Sequence, residues 1–66
     1  MSRLTRREKE IMSLVAKGLP SKEIADELGL THGSVRTMLT EIYKKMSVST
    51  RVEASNKYHY EFEVVG

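Results

Sequence analysis

The chain has no cysteine, no tryptophan, one proline and one phenylalanine among its 66 residues. Without cysteine it has neither a disulfide framework nor a thiolate zinc site to support a small fold, and the cytoplasm is the expected home. No apolar run exceeds three residues, Leu14-Val15-Ala16 being one, so neither a membrane span nor a signal peptide is expected. A chain this short buries only about 60% of the surface its unfolded form exposes, which leaves no room for a large pocket or a multi-part catalytic apparatus. His32 and His59 stand far apart, and neither a carboxylate pair nor a glycine-rich phosphate loop is present. An enzyme, a metal and a cofactor are therefore not expected.

What is present is 39% hydrophobic and 30% charged residues, with the charge unevenly spread beneath a net +2. Residues 1–18 carry a net +3, residues 19–30 a net −2, residues 31–50 a net +2, and the remainder a net −1. Two basic segments around an acidic one, with a pI of about 9.1, point to a polyanionic partner.

Helical spacing organises the chain. Thr5 and Glu8 stand three apart, the capping-box spacing in which a hydroxyl and a carboxylate each satisfy the other residue's amide. A first helix is predicted over about 6–17, with Ile11, Leu14 and Val15 inward and Gly18 as a left-handed stop. Pro20 bars continuation, and Ser21 is the expected cap of a short helix over 22–28, with Ile24, Ala25 and Leu28 inward. Gly29 ends it. Thr31 is the expected cap of a third helix over 32–46, whose buried stripe is Val35, Leu39, Ile42 and Met46. Thr50 with Glu53 repeats the capping-box spacing and starts a fourth helix over about 51–59. Beyond it two readings stand: a frayed tail over 60–66, or a strand that pairs with a second subunit. The alternation of Tyr58, Tyr60, Phe62 and Val64 with polar residues suggests the strand.

Ala25, Gly29 and Val35 stand four and then six residues apart. Two helices crossing steeply need a small residue at the contact, a residue tolerant of positive φ at the bend, and an apolar anchor on the second helix. This is the helix-turn-helix pattern, within residues 21–46 of a single all-α, four-helix domain. Its third helix would offer His32, Gly33, Ser34, Arg36, Thr37 and Thr40 to a DNA major groove. The planar fork of Arg36 suits guanine O6 and N7, while Thr37 and Thr40 suit base edges or a thymine methyl. Ser21, Lys22, Thr31, His32, Ser34, Lys44, Lys45 and Arg51 are the candidate phosphate contacts, as hydroxyls at helix starts or as positive charge. Gly33 either weakens the first turn or admits a phosphate close to the backbone.

Taken together, Leu-Thr-Arg-Arg-Glu at 4–8, Lys-Gly-Leu-Pro-Ser-Lys-Glu-Ile-Ala at 17–25, Ser-Val-Arg-Thr at 34–37, Ile42, Lys44-Lys45-Met46 and Arg51-Val52-Glu53-Ala54 resemble the LuxR/GerE-type DNA-binding domain of bacterial transcription regulators. That group includes the output domains of NarL-like response regulators. The resemblance implies a regulator that binds double-stranded DNA, with Arg36, Thr37 and Thr40 at base-contacting positions and the second helix across the backbone. It also implies homodimers on paired half-sites, formed through the fourth helix. Ser55 and Asn56 depart from the apolar residues usual there, and Met38 replaces a frequent histidine. The receiver or sensor domain that usually precedes this domain is missing, so a fragment and a stand-alone regulator both remain open. Two other readings stand beside this one: a protein-interaction module that docks on RNA polymerase or another regulator, and a promoter-binding domain like sigma-factor region 4.

Overall fold

The computed structural model describes residues 4–60. They form four helices, α1 (Arg6–Ala16), α2 (Ser21–Leu28), α3 (His32–Met46) and α4 (Arg51–Tyr58), and no strand. α2 packs most extensively on α3, and α1 on α4, while α1 also touches both members of the central pair.

The starts of three helices follow from hydroxyl caps. Thr5 and Thr50 each accept from the amide three residues on, and Glu8 and Glu53 accept in return from the cap amides. Thr31 Oγ1 accepts from the Ser34 amide at 3.1 Å. Each such cap contributes about 1 kcal/mol. α2 departs from expectation. Its cap is Pro20, in extended geometry, and no side chain caps it; Ser21 is the first helical residue instead. The Pro20 carbonyl accepts from the Ile24 amide at 3.0 Å, so proline's fixed φ opens the helix one residue early and moves the serine out of the capping position.

Three helix ends share one device. In α1 the Gly18 amide donates to the Val15 carbonyl and Leu19 to Leu14; in α2 Leu30 donates to Ala25; in α3 Ser47 donates to Lys44 and Val48 to Tyr43. Each end requires a left-handed residue. Gly18 and Gly29 supply it at φ of 94° and 69°, whereas at the end of α3 it is Ser47, at φ 59°. The Lys57 ammonium donates to the Met46 carbonyl at 2.6 Å, satisfying another orphan acceptor at that end. α4 continues past Tyr58 as one wider, π-type turn over 59–60, so Tyr58 and Tyr60 do not take the strand alternation. The tail from residue 61 lies outside the described residues.

The core joins Leu4 to residues from all four helices. Ile11, Met12, Ile24, Val35, Ile42 and Ala54 are fully buried, with Val15, Ala25, Leu39, Met46 and Tyr58 nearly so. Among the described residues no charged side chain is buried, and no buried side-chain nitrogen or oxygen, the Tyr58 hydroxyl included, is left without a hydrogen-bond partner. At its edge, one ion pair ties α1 to α3. Lys45 Nζ donates to both carboxylate oxygens of Glu8 at 2.9 Å, with the Glu8 side chain 12% exposed. Burial alone would push the Glu8 carboxyl up. The Thr5 amide, the Lys45 ammonium and the Thr5 hydroxyl together hold it below its ordinary 4.5.

Two stability outcomes follow. Ser47→Gly removes a left-handed penalty of about 1–2 kcal/mol and returns part of it as unfolded-state entropy. A net gain of about 0.5–1 kcal/mol is expected, seen as a thermal midpoint a few degrees higher. An unchanged or lower midpoint would mean that the Ser47 side chain stabilises the turn. A carboxyl lowered by folding contributes stability that is present above its unfolded value and lost as pH falls through the folded one. Glu8→Gln should therefore cost about 1–2 kcal/mol in neutral urea melts, and its deficit against the parent should shrink on acidification below about pH 4. A deficit that stayed constant with pH would show that the charge does not contribute.

Candidate nucleic-acid interface

Burying one stripe of α3 determines what the rest of it can do. Val35, Leu39, Ile42 and Met46 face the core, and His32, Gly33, Ser34, Arg36, Thr37, Thr40, Glu41 and Lys44 are exposed. At 3.6 residues per turn, His32, Arg36, Thr40 and Lys44 form one row on the outer surface, and Gly33, Thr37 and Glu41 the row beside it. The helix is held at this angle from its N-terminal side. Ala25 is 3% exposed and Val35 is fully buried at the α2–α3 contact, and Gly29 makes the bend.

Arg36 projects a guanidinium that makes no hydrogen bond or ion pair among the described residues. Its own carbonyl accepts from the Thr40 hydroxyl at 3.1 Å. Thr40 therefore offers outward a methyl and acceptor lone pairs, its hydrogen being engaged. Thr31 and Ser34 form a hydroxyl pair, with Thr31 Oγ1 donating to Ser34 Oγ at 2.9 Å. Both line a shallow hollow with Leu30, Gly33, Thr37 and half-buried Met38. A Cβ added at Gly33 would meet nothing within 4 Å, so no internal contact requires glycine there.

A second hollow lies at the start of α2. Gly18, Pro20, Ser21, Lys22, His32 and Arg51 line it. Three helices and the α1–α2 loop thus bring together four of the phosphate candidates: Ser21, Lys22, His32 and Arg51. Arg51 is half-buried, and its Nη2 donates to the Leu19 carbonyl, which anchors the start of α4 to that loop. Its remaining donors are left for another partner. Because α2 has no side-chain cap, its first amides also stay open toward this hollow. Among the described residues the hollow contains no carboxylate. Its charge and its donors suit an anion.

The other candidates are placed differently. Lys44 is exposed on the outer row of α3, away from the hollow at the start of α2. Lys45 belongs to the same turn, but its ammonium is held by Glu8 at the edge of the core. Sequence reasoning missed that ion pair, which joins residues 37 apart, and it missed the Arg51–Leu19 bond, whose acceptor is a backbone carbonyl. It also gave Met38 no part in the surface, although Met38 lies beside Thr37 in the hollow at the start of α3. Among the described residues, no three His, Asp or Glu side chains cluster as a metal would need, and no helix is long and apolar enough to cross a membrane. On α4, Val52 is 69% exposed and Asn56, one turn on, is exposed as well.

Comparison with known proteins shows the family to which the chain belongs. The family described as bacterial regulatory proteins of the luxR family matches residues 2–57. The chain is 41% identical over 61 residues, 92% of its length, to the nitrate/nitrite response regulator protein NarL of Escherichia coli (strain K12), of which it covers 28%. It is 49% identical over 51 residues, 77% of its length, to the transcriptional regulatory protein DesR of Bacillus subtilis (strain 168), covering 26% of that protein. To the transcriptional regulatory protein LiaR of the same organism it is 45% identical over 56 residues, 85% of its length, again covering 26%. The chain spans about a quarter of the length of these relatives. The match to the family takes in α1 to α3, all but the last residue of α4, and the residues of both hollows, and by it the chain belongs to the LuxR family of bacterial regulatory proteins, a family of regulators rather than of enzymes.

Proposed function

We propose that this chain binds double-stranded DNA in a sequence-specific way, as a transcription regulator of the bacterial cytoplasm, with α3 in the major groove. The free guanidinium of Arg36 carries the reading. It stands on the outer row of a helix whose opposite stripe is locked into the core, and an anion-suited hollow flanks it. In this reading Arg36 donates to guanine, Thr37 and Thr40 meet neighbouring base edges or a thymine methyl, and Ser21, Lys22, His32 and Arg51 hold a phosphate. Thr31 and Ser34 receive a second phosphate at the start of α3, with the bare backbone at Gly33 leaving room for it. Lys44 adds charge farther along.

Two copies on a symmetric operator would place half-site centres about 10–10.5 base pairs apart, or at a multiple. Val52 is the apolar side chain that α4 exposes for such pairing, with polar Asn56 beside it. A footprint confined to one half-site would assign the chain to monomeric binding.

Binding should weaken steeply as salt rises, because each neutralised phosphate releases counterions. A module that docks only on proteins, such as RNA polymerase, would show almost no duplex binding even at low salt. Arg36→Ala should lose about 1–3 kcal/mol on the preferred site and relax selectivity at one base pair, whereas Lys22→Ala should weaken all sequences alike and make the salt dependence shallower by about one unit of slope. Fluorescence anisotropy at several salt concentrations, on preferred and scrambled duplexes, separates the two behaviours. An equal loss on both duplexes for Arg36→Ala would make Arg36 a phosphate contact.

A further inference from the structure

α3 carries one carboxylate, Glu41, on a helix with Arg36, Lys44 and Lys45 and no acidic residue in its first turn. Glu41 is exposed, four residues after Thr37 and one after Thr40, so it continues the row that starts at Gly33 and Thr37. Among the described residues the other acidic side chains outside α2 are engaged within the chain: Glu8 pairs with Lys45, Glu10 with Arg7, and Glu53 closes the α4 cap. The helix partner expected for Glu41 is Lys45, four residues on, the favourable order for such a pair. That lysine is held by Glu8 at 2.9 Å. Glu41 is left without an ion pair or hydrogen bond among the described residues.

An unpaired carboxylate on a groove-facing surface is repelled by phosphates and lowers affinity for every sequence, unless a base repays it. The major groove allows few ways to do so. Guanine presents N7 and O6 and thymine presents O4, all acceptors that repel a carboxylate; adenine sets its amino group beside the N7 acceptor; cytosine presents an amino donor alone. We infer that Glu41 is a specificity-determining residue that accepts a hydrogen bond from a cytosine amino group and disfavours the other three bases. This rests on the reading that α3 lies in the major groove. Glu41 is about 7.5 Å along the axis from Arg36, roughly two base-pair steps of ~3.4 Å. The cytosine belongs about two base pairs from the pair read by Arg36. The gain is discrimination rather than affinity, since the same charge that favours one base excludes competitors.

The test is selection of bound sequences from a random duplex pool with the parent chain, Arg36→Ala, Glu41→Ala and Glu41→Gln, each first melted to confirm an unchanged fold. Arg36→Ala identifies the pair that Arg36 reads. The parent should then show a cytosine about two pairs away, preferred roughly tenfold over other bases. Glu41→Ala should lose that preference while binding scrambled duplex more tightly. Glu41→Gln should move the preference toward adenine, which a carboxamide can meet at N6 and N7 together. Identical motifs from the parent and both Glu41 variants would overturn the inference and leave Glu41 as a repelling surface charge, as would a parent motif without cytosine at that place. A parent chain that recovers no motif at all would overturn the DNA reading itself, a result distinct from either.

Discussion

The contact between α2 and α3 is the constraint on which the rest depends. An isolated helix of eight residues is unstable in water, so α2 exists only because Ile24 and Ala25 find an apolar surface. That surface includes Val35 and Leu39 on α3. The same burial turns Arg36, Thr37 and Thr40 outward, because positions adjacent to a buried stripe at this period must face away from it. Stability and presentation therefore come from one packing event. Gly29 limits the alternatives: with the chain forced into a left-handed bend there, α3 leaves the end of α2 in one direction only.

Around this pair the remaining helices act as supports. α1 and α4 pack on each other and complete the core, and two side chains engaged across long sequence separations lock them to the central pair. Glu8 reaches Lys45 on α3, and Arg51 reaches the loop before α2. Both engage cations that would otherwise be free to meet a polyanion. The fold engages both in part, so the basic character visible in the net charge overstates the positive surface available to a ligand.

The helices were legible because their signals are local. Thr5-Glu8 and Thr50-Glu53 closed the capping boxes that their three-residue spacing implied, and the stripe of Val35, Leu39, Ile42 and Met46 is buried as its period required. The start of α2 was misread because two local signals competed: serine favours the capping position, but the proline before it holds the geometry that a cap needs. The outer row of α3 was legible once its inner stripe was known. The hollow at the start of α2 was legible only in its members, since Ser21, Lys22, His32 and Arg51 come from three helices. Neither Lys45 with Glu8 nor Arg51 with Leu19 leaves a trace in one sequence, because pairs so far apart are joined by packing and not by spacing.

Arg51 has a mechanical consequence. It is the first residue of α4, it holds the backbone of the α1–α2 loop, and it walls the hollow beside Lys22 and His32. A displacement of α4 would drag that guanidinium with it, loosening the loop and emptying one wall of the anion hollow in a single motion. Whatever seizes the last helix thereby gains leverage over the hollow beside its first residue, without touching α3 at all.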